Sequence, residues 1–524
     1  MASLTSTAPL EVAVTGGMVR GFRRGALRIW RGIPYAAPPI GERRFRTPGP
    51  VESWTGTRAA TEFGAVAPQD RNGQFIGPRA GIRMSEDCLT INVISPWHSS
   101  AARSSANGGA LAPVMVFIHG GAYSVGSSRE MPHQGERFVA RGGVVFVNFN
   151  YRLGSLGYLD FTRYSGSGRL FESNLGLRDQ VAALEWVRDN IRGFGGDPDR
   201  VTIFGESAGG NAVTTLMTVP RASGLFARAI AQSPPPNAIY PAELTAKWAG
   251  DFVEILSEVV DNASTDSTSD DDVAALLTAA TTEQLVRATT RMQLRTPDHE
   301  PGTICLSPVI DGDFLPERPL DAFKFGRAHP VPIIIGTNDR EGSLFTGRLD
   351  ILATTPPRIR AIFARTKKKA RKALKAQYPG LPARRPAADF GGDYAFWYPS
   401  IKVAERHARF ATVHFYRFDI APRLVRMIGL DATHGLELFA LFDRMDGAFG
   451  RGMGLLGGRA AFKRAGRRMQ EHWLRFAEDG SVDDSWPKYT ARHRRTLVID
   501  EVDRVDADPR AERRRAWQEF VPHV

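Results

Sequence analysis

At 524 residues and a formal net charge of +12, the chain is long enough for one large catalytic domain or two or three ordinary ones. Apolar residues make up 42% and charged residues 24%, globular values that leave ample material for a sizeable core. No run of eighteen or more uninterrupted apolar residues occurs, which excludes an ordinary membrane-spanning helix.

From the start of the chain, Met1 to Val19 lacks the basic start, apolar core and small-residue cleavage site of a secretory signal. With two cysteines only, Cys88 and Cys305, there is no disulfide framework, and the expected setting is a reducing, cytoplasmic one. Pro113 to Ile118 is a short apolar run ending at glycines, as a buried parallel strand is, and Val144 to Phe149 is a second. Between Asp179 and Ile191 apolar residues recur at helical spacing, with Gly193, Gly195 and Gly196 close behind. Val201 to Phe204 reads as a strand running straight into Gly205, and Asn211 to Met217 as a helix after it. Val331 to Ile335 and Ala411 to Tyr416 are further strands; residues 240–293 and 344–409 read as helical insertions, with an exposed loop over Val260 to Asp272. Strands interleaved with helices predict an α/β architecture, a mostly parallel sheet covered on both faces, in a single domain spanning 1–524.

The positive charge raises the question of nucleic acid, but Lys and Arg are spread along the chain and no RRM, zinc-finger or homeodomain signature occurs, so no nucleic-acid partner is expected. The densest basic run, Arg358 to Lys375, is predicted to be an amphipathic helix with a solvated face, leaving weak contact with an anionic surface as its other reading. Glu405 and His407 lie close together, but two ligands are too few for a metal site, and no metal is expected.

The chemistry concentrates at Gly205-Glu206-Ser207-Ala208-Gly209, the sole Gly-x-Ser-x-Gly of the chain. A strand precedes it and a helix comes after; glycines on both sides permit a sharp turn that exposes the serine hydroxyl above the sheet. The helix N-terminus directs N–H groups toward developing negative charge. His119-Gly120-Gly121 follows a strand in the form taken by lipase and esterase oxyanion loops, and Gly121, Ala122 and Ala208 are the expected donors to a tetrahedral oxyanion. His119 is read as an anchor of that loop.

These motifs and their neighbours resemble the type-B carboxylesterases, the family of bacterial para-nitrobenzyl esterases and cholinesterases. The resemblance runs in order through Arg31-Gly32-Ile33-Pro34-Tyr35-Ala36, Ser85-Glu86-Asp87-Cys88, Asn150-Tyr151-Arg152-Leu153-Gly154, Asn174 to Gln180, Phe194 to Pro198 and Ser307 to Gly312. It implies the α/β-hydrolase fold with helical insertions over the site. It also implies a triad of Ser207, Glu341 (in Asn338-Asp339-Arg340-Glu341-Gly342) and His434 (in Thr433-His434-Gly435-Leu436-Glu437), in the order Ser…Glu…His. On the residues alone, Asp339, two positions from Glu341, is an alternative acid. Glu206 and Ser233 match residues that flank the family's triad. No cofactor is implied, and the implied partner is a small-molecule ester.

The chain departs from the family in two places. Where many members carry a cysteine bonded to the counterpart of Cys88, this chain has Ala67, so Cys88 is expected to be a free thiol. The loop Asp70 to Met84 has no tryptophan, and Phe75 is a weak substitute for a cation-binding aromatic, so choline-ester specificity is not implied. The expected activity is hydrolysis of small to medium aryl and alkyl esters. Lipase, thioesterase or amidase chemistry on the same scaffold, or a non-catalytic binding module, are the alternatives.

Overall fold

The apolar runs become the middle of one large sheet. The computed structural model describes residues 10–71, 77–78, 81–97, 111–130, 134–166, 168–261, 269–347 and 350–520. Among these, eleven strands share the sheet: β1 (Phe22–Arg24), β2 (Leu27–Pro34), β3 (Thr90–Pro96), β4 (Ala112–Ile118), β5 (Val145–Phe149), β6 (Gly196–Glu206), β7 (Arg228–Gln232), β8 (Ile333–Asn338), β9 (Val413–Phe418), β10 (Arg495–Ile499) and β11 (Arg504–Ala507). Their spatial order is β11-β10-β9-β8-β7-β6-β4-β5-β3-β2-β1. Every pair from β10 to β5 is parallel, and the edges close with antiparallel neighbours.

β4, β5 and β8 are buried along their whole length, which is why apolar residues dominate them. Successive residues of β4 feed two cores: Val114, Val116 and Ile118 enter one, and Met115 and Phe117 the other. The sequence places β8 and β9 about two residues too early. Both strands continue into polar residues, Thr337 and Asn338 on β8 and Arg417 on β9, that apolar patterning does not mark.

The helices that flank the sheet and cover the site begin with α1 (Leu175–Asn190) and α2 (Ala208–Leu216). α1 starts earlier than predicted, because Leu175 and Leu177 are already buried and the side chain of Asn174 is fixed by both backbone groups of Val309. The first insertion forms α3 (Ala242–Asp261), α4 (Asp270–Ala279) and α5 (Thr282–His299); the predicted loop between the first two lies largely outside the described residues. The second forms α6 (Pro356–Ala364), α7 (Lys368–Gln377), α8 (Arg384–Gly392) and α9 (Tyr398–His407). Toward the C-terminus come α10 (Arg423–Met427), α11 (Leu436–Leu441), α12 (Ala448–Met453), α13 (Arg459–Asp479) and α14 (Ala511–Gln518).

The basic run is therefore two helices and not one. On α7, Ala370 and Leu374 are buried while Lys368, Lys369, Lys372 and Lys375 stand in solvent, the expected solvated face. Arg358 on α6 departs from it: the guanidinium is buried and paired with Asp298 and Asp350, both at 2.7 Å. Among the described residues, no helix is long and apolar enough to cross a membrane.

Several charged residues of the ordered motifs turn out to be internal braces. Arg152 grips Asp179 with two parallel bonds of 2.8 and 2.6 Å, both side chains buried, and a third bond of 2.7 Å reaches the Arg46 carbonyl. Arg44 pairs with Glu86 and also donates to the carbonyls of Thr278 and Ala280, tying the N-terminal segment to the first insertion. Cys88 and Cys305 are both buried and unbonded, and burial pushes the Cys305 thiol up to about 11. Ala67 is buried as well, and Phe75 lies outside the described residues.

Candidate active site

β4 and β6 run parallel with Ile118 opposite Gly205, so the loops leaving their C-terminal ends lie side by side. Two glycines let them touch. A Cβ on Gly205 would stand 2.6 Å from the Ile118 carbonyl oxygen, and one on Gly209 would overlap the same oxygen. Between them Ser207 takes φ 59° and ψ −124°, a conformation costly for any residue but glycine. The turn is held on both sides: the Ser207 N–H donates to the Gln232 carbonyl on β7 at 3.0 Å, and the Ser207 carbonyl accepts from Asn211 N–H at 2.8 Å. α2 begins at Ala208, immediately after the serine and three residues before the predicted start.

The loop after β4 packs on this turn. A Cβ on Gly120 would lie 2.6 Å from the Glu206 carbonyl and 3.1 Å from Ser207 Cβ, so the backbone at Gly120 touches the elbow directly. Gly121 (φ 110°) and Ala122 (φ 51°) turn the chain, and their N–H groups meet no acceptor among the described residues. As the first residue of α2, Ala208 also has an N–H without an intrahelical partner. His119 fixes the loop from beneath. Its Nδ1 lies 2.9 Å from the Gly120 carbonyl, its ring stacks on Tyr151 at 4.4 Å, and its carbonyl accepts from the Tyr151 hydroxyl at 2.7 Å. Burial drives His119 down to about 4, so the ring is neutral.

Glu341 follows β8, and His434 follows the helix after β9. His434 Nδ1 lies 2.6 Å from Glu341 Oε2. The other carboxylate oxygen, Oε1, accepts from the Ser233 hydroxyl at 2.6 Å and from the Asn338 N–H at 2.5 Å. His434 Nε2 points back to the elbow, 3.2 Å from Glu206 Oε1, and neither atom has a hydrogen-bond partner among the described residues. Asp339 faces the other way. It is paired with Arg510 at 2.7 Å and lies 3.6 Å from Arg417, lining a polar cleft of about 570 Å³ behind the acid turn.

Three carboxyls therefore surround one imidazole. Burial opposes charge on His434, yet Glu206 and then Glu341 outweigh it and lift the imidazole to about 9. Burial likewise raises Glu206 and Glu437 well above the carboxylate range. Glu437 sits under the cluster, accepting from the side chains of Asn338 and, at 3.4 Å, Gln232. On its far face the His434 ring meets Phe396 at 4.3 Å and Phe345 at 5.2 Å, part of an apolar wall with Leu344, Leu352 and Ala395.

The structure thus brings Glu341, His434, Glu206 and Ser233 into one contact network at the Ser207 elbow, with Gly121, Ala122 and Ala208 beside it. Sequence reasoning assigned no role to Glu437, Asn338, Phe345, Phe396 or Arg340. Glu437 and Asn338 stand inside the motifs that carry His434 and Glu341, and that position was the available signal. Arg340 binds Asp431 at 2.6 Å and Asp389 at 2.9 Å, locking the acid turn to the stretch that carries His434. Glu405 and His407 do not converge: Glu405 pairs with Arg494 and Lys402, while His407 meets the Val331 carbonyl.

A strained serine turn at the end of a central parallel strand, faced by a carboxylate–histidine pair on later loops, defines an α/β-hydrolase. The chain belongs to the carboxylesterase family, whose sequence model matches residues 8–517, and it is a carboxylic-ester hydrolase. It is 33% identical to the para-nitrobenzyl esterase of Bacillus subtilis (strain 168) over 502 residues, covering 95% of this chain and 96% of that one. It is 32% identical to the fumonisin B1 esterase of Sphingopyxis macrogoltabida, covering 94% of this chain and 87% of that one. A solved PNB esterase structure superposes with a TM-score of 0.84 at 32% identity, over 98% of this chain and all (100%) of that one.

Proposed function

We propose that the chain is a serine carboxylesterase, one catalytic unit acting on small to medium alkyl and aryl esters, with Ser207 as nucleophile, His434 as general base and Glu341 as its acid partner. The observation that carries this reading is the 2.6 Å Glu341–His434 contact, with the free Nε2 turned toward the Ser207 elbow. Ser207 Oγ attacks the ester carbonyl while His434 Nε2 takes the hydroxyl proton. Glu341 keeps the imidazole in the tautomer with Nδ1–H and balances the cation that forms. Gly121, Ala122 and Ala208 donate to the oxyanion. The imidazolium protonates the departing alkoxide, and water, deprotonated by His434, then cleaves the acyl-enzyme. Apart from the ester and water, the groups that take part in these steps belong to the chain. Cys88 and Cys305, both unbonded, support a reducing, cytoplasmic setting.

The apolar wall of Phe345 and Phe396 favours acyl or aryl groups over charged ones at the face of His434. A panel of p-nitrophenyl esters of graded acyl length, run beside matched thioesters and anilides, tests the reading. kcat/KM should be highest for short to medium acyl esters and far lower for anilides. An anilide cleaved faster than its ester would make the enzyme an amidase, and a preference for long, aggregated acyl chains would make it a lipase.

Glu206 provides a pH test. His434 must be neutral to act as base, and the anion at Glu206, 3.2 Å from Nε2, holds the proton on. Activity should therefore rise with pH as the imidazolium deprotonates. In Glu206→Gln that stabilising charge is gone, so the acid limb of the kcat/KM profile should move down by about 1–2 pH units. An unmoved or upward-moved limb would remove Glu206 from this electrostatic role.

A further inference from the structure

Five of the large apolar side chains that stand in solvent fall between residues 427 and 456: Leu455 (77% exposed), Met427 (73%), Ile428 (55%), Phe449 (52%) and Leu456 (44%). They lie on neighbouring elements. α10 packs against α12, the Arg423 N–H donates to the Gly457 carbonyl at 3.2 Å, and the Phe449 ring lies 5.2 Å from Phe439. A monomeric surface seldom gathers this much exposed apolar area without a use for it.

The unpaired charge of this stretch is positive. Arg423, Arg426 and Arg451 are exposed, and none has an ion-pair partner among the described residues. The carboxylates of the same stretch are already taken. Asp431 is bound by Arg340 and Arg385, Asp443 and Asp446 are bound by Lys463, and Glu437 is buried. What faces outward is an apolar surface with an uncompensated guanidinium rim, the pairing that suits insertion among acyl chains beneath anionic headgroups. A second copy of the chain fits less well, because face-to-face docking would crowd the unpaired guanidiniums of both patches together with no free carboxylate of these stretches to answer them.

We propose that the α10–α12 patch is a docking surface for an anionic lipid bilayer. This goes beyond the catalytic reading and does not depend on it, although His434 lies on the stretch joining the two helices, so docking would hold the reactive end of the molecule at the interface.

Co-sedimentation of the full chain with phosphatidylcholine vesicles, and with equimolar phosphatidylcholine and phosphatidylglycerol, tests the proposal. Binding is expected to the anionic vesicles only, weakening as salt screens the rim. The double variant Met427→Ser/Leu455→Ser, which leaves the net charge alone, should bind about tenfold or more weakly. It should keep the wild-type unfolding midpoint, since both side chains already stand in water. Lys368→Gln/Lys369→Gln on α7 removes two exposed positive charges elsewhere and should change binding by less than about twofold. The proposal fails if the wild type ignores anionic vesicles, if the apolar double variant binds as well as wild type, or if the α7 variant loses as much. It also fails if light scattering finds a dimer that the apolar double variant dissolves, which would give the patch to a second copy.

Discussion

Replacing Ser207 with alanine is expected to lower p-nitrophenyl ester turnover about 10⁴–10⁶-fold. Alanine retains the Cβ that meets the Gly120 backbone and leaves the Gln232 and Asn211 backbone bonds in place, so the elbow keeps its shape. What disappears is the Oγ proposed to form the acyl-enzyme. The remaining rate would reflect the backbone donors and substrate positioning alone. Pre-steady-state release of p-nitrophenol reads the result directly: wild type should show a burst near one equivalent per chain where deacylation is slower than acylation, and the variant none. Activity within about tenfold of wild type would remove Ser207 from the role of nucleophile.

Glu341→Gln should cost about 10³–10⁴-fold in kcat. Glutamine fits the same space, but one side of its amide is a donor. With Ser233 and the Asn338 N–H both donating toward Oε1, the amide NH₂ is directed at His434 Nδ1. That favours the tautomer with Nδ1 as acceptor and the proton on Nε2, the atom that must accept from Ser207. Asp339→Asn provides the contrast. Its partners are Arg510 and Arg417 on the far side of the turn, so the variant should keep activity within about tenfold while lowering the unfolding midpoint. Steady-state kinetics and thermal unfolding of both variants separate the two readings, and the reverse order of activity would move the acid to Asp339.

That choice between Asp339 and Glu341 marks where sequence reading stops. The elbow was legible because its glycines answer to local sterics: Gly205 and Gly209 press on Ile118, and no other residue fits. The central strands were legible because burial on both faces makes them predominantly apolar. The direction in which Asp339 faces depends on Arg510, far along the chain on the approach to α14, and no local pattern carries that information. The same holds for the wall beside His434: Phe345 and Phe396 look like ordinary core aromatics until the second insertion folds over the site. Arg358 reads as one more member of a basic run because its partner Asp298 sits on α5, in the other insertion. The ordered motifs, by contrast, were legible as a resemblance before their physical role was. Arg152 and Asp179 lie in separate motifs and meet as one buried pair.

The three carboxyls around His434 also bear on how a turnover ends. Ester cleavage converts a neutral reactant into an alcohol and an anion, and in the proposed site that anion forms beside the acidic side chains Glu206, Glu341 and Glu437 around one imidazole. At short range and low polarity, like charges repel strongly. In the proposed site the same acidic surroundings that hold a proton on His434 repel the carboxylate product, which speeds its departure from the cleft without altering the overall equilibrium.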